Sequence, residues 1–210
     1  MRIVAISDTH GSHRSLTLPD GDVLIHAGDF MLSGKDAREI FDFNAWLGEQ
    51  PFKHRICVAG NHDILFESNP IVAAGFLSNA TYLMDSSVEI CGVKFYGSPW
   101  QPRFMDWAFN VDRGVPLRKI WAKIPEDVNV LITHTPPYGI LDELRPPSEH
   151  LGCEELAIAI GRLSPKMHIF GHIHGSAGTL SIGDKRFINA ASMNEAYRIA
   201  NYPIVVDFDA

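Results

Sequence analysis

Residues 3–10, IVAISDTH, carry the pattern on which the fold turns: an apolar run, 3–6, passes directly into Ser7-Asp8-Thr9-His10. The same transition recurs in 22–30 (DVLIHAGDF), 56–63 (ICVAGNHD), 128–137 (VNVLITHTPP) and 167–175 (MHIFGHIHG). A short run rich in Ile, Val, Leu and Phe that ends in Gly, Asp, Asn, His or Pro reads as a buried strand entering a polar loop. Strands of an open α/β sheet present their C-terminal ends to one crevice, so residues distant in sequence converge there. The residues that follow the five runs are Asp8 and His10, Asp29, Asn61, His134, then His172 and His174.

These residue types narrow the chemistry. Carboxylates, imidazoles and one carboxamide oxygen suit Mn, Fe or Zn, and no Cys accompanies them, which argues against a tetrahedral structural zinc. Seven donors exceed what one such ion takes. Two ions sharing one carboxylate fit better, and metals ~3.5–4 Å apart form the clamp used in phosphate ester hydrolysis. Taken singly, each motif has an ordinary reading: Asp8-Thr9-His10, Gly28-Asp29 and Asn61-His62 as turns, the His172/His174 pair as surface. Their joint occurrence in this order does not.

The series D-x-H, G-D, G-N-H-D, a strand-borne His and G-H-x-H resembles the calcineurin-like metallophosphoesterase superfamily. The stretches GDVLIHAGDF, FNAWLGEQPF, AGNHD, YGSPWQPRFMDWAFN, THTPP and FGHIHG, with Gly152-Cys153-Glu154, resemble its small metallophosphoesterase-domain branch, from Met1 nearly to the C-terminus. The resemblance implies two divalent transition metal ions, Mn, Fe or Zn with Mn favoured. It assigns Asp8, His10 and His174 to the first, Asn61, His134 and His172 to the second, and Asp29 as the bridge. It further implies a nucleophilic hydroxide between the ions, His62 as a non-ligand that protonates the leaving oxygen or stabilises its charge, and Asp63 as the partner holding the His62 imidazole. His172 is present, where some relatives carry Gly.

The remaining histidines match no ligand position. His26 and His168 lie inside strands and read as core or supporting residues, His54 and His150 as solvated, and His13 as a residue near enough to His10 to touch substrate. The segment 97–114, GSPWQPRFMDWAFNVDRG, is unlike a core strand. Its aromatics either plug the core or form a pocket wall on which a nucleobase stacks, with Trp100, Phe104 and Trp107 as the stacking candidates and Arg103 or Arg113 near the phosphate. The irregular stretch from His134 through Pro147 is expected to form the opposite lip.

A helix is expected over 35–49, capped by Ser33, with Ile40, Phe43 and Leu47 on one face and Pro51 beyond it. A second begins near Gly152, with Cys153, Leu156, Ala157 and Ile160 on one face, and stops at Pro165. YLMD (82–85), SVEIC (87–91), VKFYGS (93–98), GTLSI (178–182) and KRFINAAS (185–192) read as hairpin strands, with Gly92 and Gly183-Asp184 at turns. These strands are too many for one doubly wound sheet. The four-layer αββα sandwich of the resembled family, two mixed β-sheets flanked by helices, accounts for them.

The chain has 210 residues, 46% hydrophobic and 20% charged, which suits a single domain over 1–210 with a sizeable core. No apolar run is long enough to span a membrane. The N-terminus enters a strand without a signal-like region, and Cys57, Cys91 and Cys153 match no zinc or redox spacing, so a reducing cytoplasm is the expected location. The net charge of −7, without a Lys/Arg run, argues against a long nucleic acid as partner. The expected substrate is a small-molecule phosphate ester, favouring a nucleotide phosphodiester such as a cyclic nucleotide. The alternatives are a protein or other phosphomonoester phosphatase, and a nucleotide- and metal-binding scaffold of low activity. A nuclease needing a capping domain fits poorly.

Overall fold

The computed structural model describes residues 1–144 and 149–208. Its strands are β1 (Arg2–Ile6), β2 (Val23–Ala27), β3 (His54–Val58), β4 (Thr81–Tyr82), β5 (Ser86–Ile90), β6 (Val93–Ser98), β7 (Gln101–Pro102), β8 (Asn110–Val111), β9 (Val130–Thr133), β10 (Glu143–Leu144), β11 (Glu149–His150), β12 (Met167–Phe170), β13 (Gly178–Ile182), β14 (Lys185–Asn189) and β15 (Ile204–Asp207). The α-helices are α1 (Ala37–Glu49), α2 (Ile64–Ser68), α3 (Pro70–Phe76), α4 (Val115–Trp121) and α5 (Glu154–Leu163).

Two mixed sheets organise the chain, in strand orders β15-β1-β2-β3-β4 and β13-β14-β12-β9-β6-β5. In the first, β1 to β4 run parallel and β15 returns antiparallel on β1. In the second, β14, β12, β9 and β6 run parallel, with β13 and β5 antiparallel at the edges. The period-2 alternation of strand side chains then divides the apolar residues among layers. Ile3, Ala5, Val23 and Ile25 of the first sheet meet Phe95, Val130, Ile132 and Ile169 of the second in a central core. The alternate residues Val4, Ile6 and Leu24 turn outward onto Ile40, Phe43, Trp46 and Leu47 of α1. Tyr96, Leu131 and Phe170 turn onto Leu117 and Trp121 of α4 and Leu156 and Ile160 of α5. The result is the expected αββα sandwich. Among the described residues no helix is long and apolar enough to cross a membrane.

Three local expectations differ. The cap of α1 is Asp36, whose carboxylate accepts from the Arg38 amide at 2.9 Å; Ser33 instead bonds the Glu39 carboxylate. Of YLMD only Tyr82 is in a strand, the end of the short parallel β4, and Asp85 turns the chain at φ 47° into β5. On α5 the buried face is Leu156, Ala159, Ile160 and Leu163, with Ala157 only partly covered. The hairpin at Cys91-Gly92 does form, with both residues at positive φ, as a two-residue turn of the primed kind requires.

Candidate metal centre

All five predicted strand ends open on the same side, where backbone bonds continue the pairing of neighbouring strands within each sheet and one, from Ser192 to Ser7, ties the two sheets together. Asp8 N donates to Gly28 O (2.9 Å), Gly171 N to His134 O (3.1 Å) and Ser192 N to Ser7 O (2.8 Å). The chain turns abruptly after β1, β2 and β12: Asp8, His10, Asp29 and His172 all have positive φ, from 41° to 72°. Each such non-glycine conformation costs on the order of 1–3 kcal/mol and persists where surroundings enforce it. Close approach is enforced by glycine. A Cβ on Gly28 (φ 102°) would lie 2.4 Å from His134 Nδ1, and one on Gly171 2.1 Å from Asp8 Oδ2.

The side chains converge in two groups. Asp8, His10 and His174 bring ligand atoms within 4.8 Å of one another, as do Asp29, His134 and His172. Asn61 joins the second group through Oδ1, 2.9 Å from His134 Nε2. Asp29 Oδ2 lies between the groups, 3.3 Å from His134 Nε2 and 3.9 Å from His10 Nε2. His10, Asp29 and His62 form a third, overlapping set of the same compactness, so geometry alone does not separate His62 from the donors.

The hydrogen-bond pattern is that of a cation site. His134 Nδ1 donates to Ala27 O at 3.0 Å and His174 Nδ1 to Asn194 O at 3.1 Å, which leaves both Nε2 atoms as lone pairs. His134 Nε2 then faces the oxygen lone pairs of Asn61 and Asp29, and His174 Nε2 faces His10 Nε2 at 3.3 Å and Asp8 Oδ1 at 3.3 Å. Acceptors set against acceptors repel unless a proton or a metal ion lies between them. Asp8 and Asp29 are buried. Burial works against their charge, but the imidazoles of His174 and His134 outweigh it and hold both carboxyls well below the usual range. Burial likewise opposes a proton on His134, yet the Asp29 carboxylate overrides it and pushes that histidine up to about 9. Burial of the His172 ring beside His134 pushes it down to about 3 and keeps it neutral. An anionic pocket that draws a proton onto His134 suits a divalent ion in the same place.

His62 is anchored as His134 and His174 are, through Nδ1 on a backbone carbonyl, and differs from them in stacking on a rim aromatic. Its Nδ1 donates to Leu32 O at 3.1 Å, its ring stacks on Trp107 at 4.2 Å, and Nε2 is the nitrogen left for the cleft. Asp63 does not hold this imidazole. Its Oδ2 accepts from the amides of Asp29 (2.9 Å) and Gly60 (2.7 Å) and its Oδ1 from Met31 (2.9 Å), so it braces the backbone on which Asp29 and Asn61 stand. Burial and the neighbouring Asp29 charge raise its carboxyl, against the amides that favour the charged form.

Asp29, Asn61, His172 and His174 of the donor set line a cleft of about 460 Å³, with Asp8, His10 and His134 packed against them, and its rim includes Phe104, Met105, Trp107, Arg113, Leu144 and Leu151. Phe104 and Trp107 thus stand where predicted. Trp100 does not: it packs between the two outer cores and its Nε1 donates to Asp85 at 3.2 Å. Arg113 borders the cleft, but its guanidinium bonds Gly152 O, Leu151 O and Glu154; Arg103 bonds Asp112. His13 does not reach the cleft; it is buried between Phe43 and Trp46 and bonds Asp42 at 3.0 Å. His26 and His168 are core residues bonded to Thr9 and Thr133. His150 is partly exposed but paired to the buried Asp142 at 2.7 Å. Thr135 and Leu144 begin the opposite lip, while 145–147 of that predicted stretch lie outside the described residues. Sequence reading missed the carbonyls of Leu32, Ala27 and Asn194, because a backbone acceptor has no residue signature, and it missed Tyr197 on the rim.

Comparison with known proteins agrees with this geometry. Residues 1–176 match the family model described as calcineurin-like phosphoesterase. The chain is 40% identical to human metallophosphoesterase domain-containing protein 1 over 98% of its own length and 70% of that protein's. It is 41% identical to a UPF0046 protein of Caenorhabditis elegans, covering 98% and 74%. A solved crystal structure superposes with TM-score 0.67 over 90% of this chain and 89% of the other at 16% identity, a likeness of fold. A sandwich that gathers two carboxylates, an amide and four imidazoles at its strand ends, and these matches, identify the chain as a member of the calcineurin-like phosphoesterase family, a metal-dependent hydrolase family.

Proposed function

We propose that the protein hydrolyses small phosphate esters with two divalent metal ions, Mn favoured, and that a nucleotide phosphodiester such as a cyclic nucleotide is the preferred class. Asp8, His10 and His174 would hold one ion, Asn61, His134 and His172 the other, with Asp29 shared. The observation that carries this reading is Asp29: its Oδ2 faces an imidazole of each group, while its Oδ1 accepts the His62 amide at 2.7 Å and is fixed by it. A bound pair of such ions polarises a phosphoryl group and makes water nucleophilic near neutral pH.

The protein's own groups do the rest. Ala27 and Asn194 carbonyls fix the ring orientations of His134 and His174 in advance. His62 anchors Nδ1 on Leu32 O and, when protonated, offers Nε2–H to the leaving oxygen. Asp63 holds Asp29 and Gly60 in register. Phe104 and Trp107 give the cleft an aromatic rim suited to a flat leaving group. The cleft's bounded size supports a small ester over a protein substrate.

The test is turnover by metal-stripped protein after Mn²⁺ is added back, against phosphomonoesters, cyclic nucleotides and phosphopeptides. Turnover of cyclic nucleotides above the others is expected. A preference for phosphopeptides would make the protein a protein phosphatase, and binding without turnover of any ester would make it a scaffold.

A further inference from the structure

The turn at 194–198 lies beyond the residues matched by the family model, yet it closes one side of the cleft. Asn194 organises it. Its amide donates to Arg198 O (3.0 Å), its carbonyl accepts from the Tyr197 amide (2.9 Å), and its Oδ1 accepts from the amides of Ala196 (3.0 Å) and Arg198 (3.2 Å). The same carbonyl accepts from His174 Nδ1. Tyr197 is held at φ 54°, a conformation that a bulky side chain rarely adopts. The residue is 52% exposed, yet its ring stands 4.9 Å from the His10 ring and 5.2 Å from that of His174. It is also 6.2 Å from the His62 ring, which stacks on Trp107 at 4.2 Å. An aromatic held in a strained conformation above a donor cluster and left half in solvent has a free face. Strain of this kind collects where a residue is positioned for a ligand.

We propose that Tyr197 is a substrate-binding residue whose ring packs against the organic group of the phosphate ester and so sets the protein's preference for esters bearing a flat or apolar substituent. The phosphate itself falls to the metal cluster. This rests on the phosphoesterase reading, and its test is built to fail separately.

Calorimetry on the Mn²⁺-loaded protein with two probes, bis(p-nitrophenyl) phosphate and inorganic phosphate, needs no turnover. Tyr197→Ala is expected to weaken the aryl diester about tenfold, the scale of one stacking contact, and inorganic phosphate less than about twofold on the same grounds. KM for the diester should rise more than kcat falls. Tyr197→Phe should restore both. Tyr197→Gly, which takes φ 54° without strain, should melt at or slightly above the Tyr197→Ala protein while binding the diester as poorly. Equal weakening of both probes, or metal lost on elemental analysis, would mean that Tyr197 only supports His10 and His174 and would overturn the proposal; so would unchanged diester binding in Tyr197→Ala. Absence of turnover in wild type would instead sink the phosphoesterase reading while the two binding constants still decide the role of Tyr197.

Discussion

At the base of the cleft, its floor, Asp8, Asp29, Asn61, His134 and His172 each sit within three residues of a strand end, and backbone groups fix the side chains of Asp8, Asp29 and His134. On the rim, Phe104, Trp107 and Tyr197 stand in irregular segments, partly or largely exposed: the Phe104 amide donates to Asn110 Oδ1, Asn194 organises the turn that carries Tyr197, and Trp107 rests on the His62 ring. The floor is specified by the sandwich as a whole, since its donors come from both sheets. The rim is specified by short segments that each answer to one or two side chains. Chemistry common to a family therefore belongs on the floor, and discrimination between substrates on the rim. Substitutions on the floor should abolish or slow reaction on every ester, whereas rim substitutions should change which ester is preferred.

The largest effect is expected at Asp29. Asp29→Asn removes the charge that both donor groups face and should lower activity more than about 100-fold on every ester, beyond the loss seen when a mere supporting residue is removed. Activity that falls on one ester class alone would erase the distinction between floor and rim. Next comes His62→Ala, expected to cost about 10²–10⁴ in rate with metal content unchanged. An ester with a good leaving group should lose less than one with a poor leaving group; equal losses would remove the acid role, and lost metal would place His62 among the ligands.

The floor was legible because its signal is doubled: an apolar strand followed by a residue type rarely wasted at a buried strand end, five times over. Asp63 shows where that legibility stops. Its adjacency to His62 suggested a partner for the imidazole, but the α2 turn beginning at Ile64 carries its carboxylate beneath the β2 and β3 ends, where three unpaired amides need an acceptor. Trp100 was misplaced for a related reason. Side-chain composition marked 97–114 as irregular, whereas which aromatic faces the cleft depends on the β7–β8 ladder and on Asp85, a residue outside the segment. Of the helices, α1 and α5 were legible by periodicity, whereas α2, α3 and α4, of five to seven residues each, are too short to show a period; the cap of α1 was misread, since Ser33 and Asp36 are both good cap residues and Ser33 is taken up by Glu39.

The bracing role of Asp63 predicts a stability loss where an imidazole partner would give a rate loss. Asp63→Asn leaves at least one buried amide facing an NH₂ group and should cost about 1–3 kcal/mol, read as a lower midpoint in denaturant, while the leaving-group dependence of the remaining activity stays as in wild type. A change in that dependence with unaltered stability would restore the imidazole role.

The smallest effects sharpen the comparison within 97–114. Trp100→Ala should destabilise by about 3 kcal/mol, a drop of roughly 6–12 °C in a chain of this size, with unchanged ester preference. Trp107→Ala should keep most stability and raise KM for a nucleotide ester about tenfold relative to a small ester without a base. Melting curves and KM on both esters separate the two tryptophans, and identical behaviour would contradict the assignment of one to the core and the other to the rim.

The central claim is that two donor groups share Asp29. Elemental analysis of protein stripped with chelator, reloaded with Mn²⁺ and freed of excess metal tests it most directly. The account predicts two ions per chain in wild type and reduced occupancy of both in Asp29→Asn, with His172→Ala losing chiefly one; a single ion in wild type, or two tightly held ions in Asp29→Asn, would contradict it.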